Sequence, residues 1–127
     1  MMNDILSDSL TRIRNGYMRG LEKTSLLNSK LVRAVLKVLK EEGYIGDFEV
    51  NDQNKIDVEL KYYKKQPVMQ SVRRISTCGQ RRYCRVDKLN KIKKGFRLFI
   101  LSTSQGVMTH VKAESLNIGG EILLEVF

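Results

Sequence analysis

The sequence predicts an α+β protein of two small domains, and three observations carry that prediction. Apolar residues recur at helical spacing in two early stretches, Ile5 to Tyr17 and Leu31 to Leu39. Ile56, Val58, Leu60 and Tyr62 then alternate with polar Asp57, Glu59 and Lys61, the period of a half-buried strand. Finally, the charge changes at Lys64-Lys65-Gln66-Pro67, which holds the only proline. Residues 1–65 carry twelve basic and ten acidic groups, residues 66–127 eleven and four. The expected division is an N-terminal α/β domain over 1–65 and a C-terminal domain over 66–127, mainly antiparallel β with short helices.

In the first domain, Ile5, Leu6, Leu10, Ile13 and Tyr17 form one apolar stripe. Thr11, Arg12, Asn15 and Arg19 fall opposite, with Asp8 and Arg12 spaced to pair across one turn. That polar strip suits either plain solvent or contact with phosphate and sugar. Gly16 and Gly20 loosen the helix end, and Thr24 to Leu27 reads as a short strand. Ser29 caps a second helix whose Leu31, Val32, Val35, Leu36 and Leu39 pack inward, and Gly43 ends it in left-handed backbone. Tyr44 to Val50 reads as a strand and 51–54 as a turn. Helix, strand, helix, strand, strand is the order of two helices covering one face of a small sheet.

In the second domain, Val68 to Ile75 reads as a strand ending in Arg73-Arg74. A turn at Thr77-Cys78-Gly79-Gln80 leads to a return strand, Arg81 to Val86, carrying Tyr83. Asp87 caps a basic helix through Lys94, closed by Gly95. Phe96 to Leu101 is a short apolar, aromatic run of strand type. Asn117 and Gly119-Gly120 turn the chain into a last strand, Glu121 to Phe127.

Between these lies the stretch the domain is built to present, Ser102-Thr103-Ser104-Gln105-Gly106-Val107-Met108-Thr109. Three hydroxyls sit beside a glycine that permits close approach by a partner. Thr109 caps a helix from His110 to Leu116, whose unpaired N–H groups are expected to point back at the loop. Hydroxyls suit sugar 2′-OH groups and base edges, and helix-end N–H groups suit phosphate. A Ser-rich loop before a capped helix also occurs without any ligand, so the rest of the chain must decide.

Charge placement points to the partner. The net charge is +9, and residues 61–97 hold thirteen Lys/Arg against one acid, Asp87. A basic block on an otherwise mildly acidic chain is the footprint of a polyanion. An anionic membrane would favour a basic amphipathic helix, whereas this block carries Pro67, Gly79 and strand-like segments. No apolar run approaches bilayer length, and the N-terminus carries Asp4 instead of the basic start of a leader. Nucleic acid is the better fit.

Catalysis finds little material. Cys78, Cys84 and His110 cannot complete a tetrahedral zinc site without carboxylate help, and the two cysteines read as reduced thiols. A nucleophile-and-base pair would have to use His110 on a short, exposed-looking helix, and no nucleophile elbow or phosphate-cradling glycine motif is present. No enzyme, cofactor, metal or small-molecule substrate is expected. An RNA-recognition-motif strand would need its aromatics an even number of residues apart, but Phe96 and Phe99 point to opposite faces.

At this point the residues resemble one family, small-subunit ribosomal protein number eight of bacterial and organellar type. Asp8-Ser9-Leu10-Thr11-Arg12-Ile13-Arg14-Asn15-Gly16 is similar to its N-terminal signature, and Ser29-Lys30 to its second helix start. Lys40-Glu41-Glu42-Gly43-Tyr44-Ile45, Leu60-Lys61-Tyr62 and Arg74-Ile75-Ser76 with Gly79, Arg81 and Tyr83 follow in order. The hydroxyl loop, Gly119-Gly120-Glu121 and an apolar tail complete the match over nearly the whole chain. The resemblance implies a constituent of the small ribosomal subunit that binds the central domain of its RNA early in assembly. It implies a main RNA site at Arg81, Tyr83, Ser102, Thr103, Ser104, Gly106 and Glu121. A second contact would come from Thr11, Arg12, Arg14, Asn15, Ser29 and Lys30, and the protein neighbour would be small-subunit protein number five. Some bacterial members of the family also repress their own messenger RNA.

Three positions depart from the family pattern. Cys78 stands for the usual proline, Gln105 for the usual lysine and Asn117 for a common glycine. The first loosens a turn, and the second removes one phosphate charge. The third is tolerable because Asn also adopts left-handed backbone. This drift and the scarcity of proline favour a mitochondrial protein, with the bacterial cytoplasm as the alternative.

Overall fold

The computed structural model describes residues 5–76, 81–85 and 97–127. The described chain falls into two compact units, the first ending at Gln70 and the second beginning at Ser71. The expected turn at 77–80 and the expected basic helix from Asp87 to Lys94 lie outside the described residues.

In the first unit, helix α1 (Ile5–Met18) buries Leu6, Leu10, Ile13 and Tyr17 along one side. Each such side chain contributes about 1.5–3 kcal/mol of hydrophobic stabilisation. On the other side, Asp8 and Arg12 pair at 3.0 Å, as their spacing predicts. The helix continues through Gly16 and ends at Met18, just before the left-handed Gly20. A Cβ on Gly16 would stand 2.8 Å from the Leu60 Cδ1 atom, so the glycine permits close packing.

Strands β1 (Lys23–Leu27), β2 (Ile45–Val50) and β3 (Lys55–Leu60) form an antiparallel sheet in the order β1-β3-β2. Leu26 lies opposite Ile56, which lies opposite Val50, so alternate residues share one face. On that face α1 packs against β1, and helix α2 (Lys30–Glu41) packs against β2. Helix α2 buries Val32, Val35, Leu36, Val38 and Leu39. Leu31, expected inside, is exposed: it sits in the first turn, and Val38, two turns along on the same side, is the residue that reaches the core. Ser29 occupies the N-cap position with extended backbone, but its hydroxyl makes no capping bond.

The three helices among the described residues end in the same way. A left-handed residue follows each cap, Gly20 for α1, Gly43 for α2 and, for the short helix α3 (His110–Ser115), Asn117. In α2 the Gly43 and Tyr44 N–H groups donate to the Lys40 and Leu39 carbonyls, the crossed pair of a Schellman end. This is why β2 starts at Ile45 and not at Tyr44: the Tyr44 N–H still belongs to the helix. Asn117 and Ile118 do the same for α3.

Beyond β3 the chain makes a tight hairpin, β4 (Tyr62–Tyr63) against β5 (Gln66–Pro67). The proline therefore lies within the first unit, and the division falls after Gln70. Tyr17 ties this hairpin down. Its hydroxyl donates to the Tyr44 carbonyl at 2.6 Å and accepts the Lys61 N–H at 3.1 Å. Its ring meets Tyr62 edge-on, with centroids 5.5 Å apart.

The second unit is built on strand β10 (Gly120–Val126). One edge pairs with β8 (Leu98–Thr103), which in turn pairs with β9 (Gly106–Thr109). The other edge takes two short strands in succession, β6 (Val72–Arg74) and β7 (Tyr83–Cys84). The expected long strand and its return strand thus do not pair with each other; each bonds to β10. The switch between them is stitched by Ser76, whose hydroxyl accepts the Arg82 N–H at 2.8 Å and donates to the Arg82 carbonyl at 3.2 Å. Cys84, Leu101, Met108 and Ala113 of α3 form a buried cluster under this sheet, with Phe99, Ile118 and Ile122 around it.

Burial raises the Tyr17 pKa above its ordinary 10.0; the bond from the Lys61 N–H opposes this and the nearby Tyr62 adds to it. A raised folded value means that the neutral phenol stabilises the fold fully below pH 10.0, and that this is lost as pH climbs through the folded value. Replacing Tyr17→Phe should cost about 1–3 kcal/mol in urea denaturation, because the Lys61 N–H and Tyr44 carbonyl lose their partner. The variant should also lose less stability than the wild type on titration above pH 10.0.

Candidate nucleic-acid interface

The hydroxyl stretch is a β-hairpin and not an open loop. Ser102 and Thr103 end β8, Ser104 and Gln105 make the turn, and Gly106 to Thr109 form β9. Ser102 lies opposite Val107, and Thr103 opposite Gly106. The Thr103 hydroxyl is spent on the turn itself: it donates to the Gly106 carbonyl at 2.7 Å and accepts the Gln105 N–H at 3.2 Å. Gly106 has φ +112, a value that side chains rarely adopt, and open space where a Cβ would be. Ser104, Gln105 and Gly106 are exposed.

The helix expected to aim its N-terminus at this turn does not do so. Thr109 caps α3, accepting the Lys112 N–H, but the four residues of β9 intervene. At strand rise that is about 13 Å. The alternation Val107, Met108, Thr109 explains it: Met108 must reach the buried cluster, so the stretch stays extended.

What the fold does bring together is a row across four strands. Tyr83 of β7 lies opposite Glu121 of β10, Glu121 opposite Ser102 of β8, and Ser102 opposite Val107 of β9. Directly opposed residues share a face, so the Tyr83 ring, the Glu121 carboxylate and the Ser102 hydroxyl stand side by side. Tyr83 is 72% exposed. Arg81 reaches in from the strand end, its Nη1 at 3.2 Å from Glu121 Oε1 and 3.4 Å from Oε2. That guanidinium holds the mostly covered carboxylate in place, leaving it as a fixed acceptor. The Ser102 and Ser104 hydroxyls make no hydrogen bond among the described residues, so both remain available.

Close approach makes the row possible. A Cβ on Gly120 would collide with the Ser102 carbonyl and with Thr103 Cγ2, so only glycine lets β10 and β8 meet at this end. Sequence reading placed Gly120 only in a turn; its neighbour across the sheet is set by register.

The sequence reading also missed a guanidinium cluster. Arg73, Arg74, Ile75 and Arg82 line a depression of about 310 Å³. Arg74 Nη1 donates to the Leu123 carbonyl at 2.8 Å, and Arg73 lies 3.6 Å from the buried Glu125, which Arg97 also approaches at 3.3 Å. Arg82 is exposed beside them. The largely exposed Arg73 side chain and the exposed Arg82 are the groups here placed to meet phosphate oxygens. The signal in the sequence was the density of arginine at 73–85, but nothing there told that 73–74 and 82 share an edge of β10.

The expected second contact lies in the first unit. Thr11, Arg12, Arg14 and Asn15 are exposed on α1, and Lys30 is exposed at the start of α2, with Ser29 half-buried before it. The Thr11 hydroxyl donates back to the Ser7 carbonyl at 2.9 Å, and Arg12 is paired with Asp8. Cys78 is outside the described residues, and Cys84 is a buried thiol. His110, read from sequence as exposed, is buried instead: its Nδ1 accepts the Phe99 N–H at 3.1 Å and its ring meets Phe99 edge-on. It pins α3 to β8. Among the described residues, no group of His, Cys, Asp and Glu is placed to hold a metal ion.

These features define a small α+β protein that presents exposed hydroxyl and guanidinium groups on its second unit. The family model for ribosomal protein S8 matches residues 4–127, and the chain belongs to that family. The chain is similar to the small ribosomal subunit protein uS8 of Pseudomonas aeruginosa, 46% identical over 128 residues, 99% of this chain and 98% of the relative. It is 46% identical over 134 residues to the uS8 protein of Nitratiruptor sp., and 43% identical over 131 residues to that of Campylobacter lari, with full coverage of both chains in each case. A structural role in the ribosome, and not catalysis, is the role of this family.

The close approach at Gly120 gives a test of the row's construction. Gly120→Ala should destabilise the protein by about 1–3 kcal/mol, read as a lower urea midpoint, because the end of β8 must move. Ser104→Ala, on the exposed turn, should stay within about 0.5 kcal/mol of wild type.

Proposed function

We propose that the protein is a structural constituent of the small ribosomal subunit that binds the central domain of small-subunit RNA and supports its assembly. Binding is carried mainly by the second unit, Ser71 to Phe127. The observation that carries this reading is the row of Tyr83, Glu121 and Ser102 beside the exposed Ser104–Gly106 turn, in a chain of the ribosomal protein S8 family. In this division of labour Ser102, Ser104, Tyr83 and the Arg81-held Glu121 read sugar and base groups and set register. Thr103 acts by shaping the turn. The basic residues of 61–97, Arg81 and the hollow at Arg73, Arg74 and Arg82 among them, supply attraction to phosphate.

Thr11, Arg12, Arg14, Asn15, Ser29 and Lys30 form the second RNA contact, and small-subunit protein number five is the protein neighbour. The relatives reported above come from bacteria, so the proposed setting is a bacterial-type ribosome in the bacterial cytoplasm. The mitochondrial setting expected from the sequence has no support from them.

Titration against a small-subunit RNA fragment tests the assignment. Ser104→Ala or Gly106→Val should weaken binding by more than about 1 kcal/mol with little change in salt slope. Arg81→Ala or Arg82→Ala should instead flatten the slope by about one unit. Silent Ser104 and Gly106 substitutions would sink the turn assignment. Loss of the ribosomal target to bulk transfer RNA in competition would mark a nonspecific basic protein.

A further inference from the structure

The hairpin from Lys61 to Pro67 lends its lysines to the general attraction for phosphate, but its aromatic side has no part in the site described above. Tyr63 pairs with Gln66 and Tyr62 with Pro67, leaving Lys64-Lys65 as a two-residue connection. Both connecting residues have positive φ, 51° and 68°. That is the backbone of a type I′ turn, where Asn-Gly is the low-strain choice. Two lysines hold it here instead, and strained backbone kept by charged residues directs attention to what they do.

The hairpin has a fixed root and a bare outer side. Tyr62 turns inward, its ring against Tyr17 and its hydroxyl donating to the Leu21 carbonyl at 2.6 Å. The Lys61 N–H is held by the Tyr17 hydroxyl, and the Lys61 carbonyl accepts the Val68 N–H at 3.1 Å. Successive strand residues face opposite sides, so Tyr63 faces away from that anchor and is 70% exposed. Lys64 Nζ stands 5.5 Å from the Tyr63 ring centroid, and Lys61, Lys64 and Lys65 are all exposed. No acid occurs in the chain from Lys61 to Arg85 to neutralise them.

A pre-positioned aromatic face among ammonium groups fits one ligand chemistry well. Unpaired bases stack on such rings whatever their identity, and ammonium groups hold the phosphates on either side. We propose that this hairpin is an RNA-contacting site separate from the Ser104 turn, with Tyr63 stacking on an unpaired base and Lys61, Lys64 and Lys65 holding the flanking phosphates. The proposal rests on the reading of the chain as an RNA-binding protein, but adds the Tyr63 ring and a defined hairpin geometry that the reading does not use.

The experiment has two arms, both on the full chain. Proton NMR titration with a short unpaired oligoribonucleotide should move the Tyr63 ring signals upfield, as stacking requires. In binding to the small-subunit RNA fragment, Tyr63→Ala should weaken affinity roughly tenfold while Tyr63→Phe keeps it. Lys65→Ala should lower the salt slope by about one unit. Unmoved ring signals overturn the proposal. So does a silent Tyr63→Ala beside an effective Lys65→Ala, which would mean charge contact without stacking, or ring shifts produced only by another ribosomal protein. A wild-type chain that ignores the ribosomal fragment yet shows the Tyr63 shift would instead sink the ribosomal assignment and leave the hairpin standing.

Discussion

The second unit depends on both edges of one strand being bonded. β10 gives one edge to β8 and divides the other between β6 and β7. A strand with partners on both sides has its backbone groups satisfied internally, which permits apolar Leu123, Leu124 and Val126 to be buried along it. The same arrangement dictates the site. Tyr83, Glu121 and Ser102 become neighbours only because β7 and β8 flank the same end of β10. Gly120 is the tolerance on which that end closes, since any side chain there meets the Ser102 carbonyl.

Charge is handled differently at the two ends of this sheet. Glu125 is almost wholly buried and takes Arg73 and Arg97 as partners, an arrangement needed because an unpaired buried carboxylate would be costly. Arg97 also lies over the Phe127 ring, 5.3 Å from its centroid. Glu121 has Arg81 instead, whose side chain is half-exposed. The first acid is therefore part of the core, while the second stands at the solvent boundary, able to accept from a ligand. Two glutamates four residues apart on one strand thus do different work, because a register shift between Ile122 and Leu124 changes what each one faces.

In the first unit the corresponding organising group is a single phenol. Tyr17 bonds the carbonyl just before β2 and the N–H just after β3, and its ring receives Tyr62. Its pKa is raised for the reason it is useful: burial disfavours the anion, so the hydroxyl stays a donor. Helix, sheet and hairpin are joined at this one buried polar point.

Much of the fold was legible from residue order. The stripes at Leu6 to Tyr17 and Val32 to Leu39, the alternation at Ile56 to Leu60 and the glycine after α2 are local signals, set by side chains within a few positions of one another. So was the identity of the exposed turn, because Ser104 and Gly106 declare it by type. Other features were decided by the tertiary structure. Val38 displaced Leu31 from the core because helix position, not hydrophobicity, sets what reaches the sheet. His110 went inside because Phe99 needed an acceptor and α3 needed a pin. The stretch after Gly106 became a strand instead of a lead into a helix, because Met108 had a buried cluster to fill. The neighbours Tyr83, Glu121 and Ser102, and the arginine hollow at 73, 74 and 82, are separated by tens of residues. Their contact is a matter of strand register, and register is written in which edges are left to bond, a property of the folded sheet and of no short stretch of sequence.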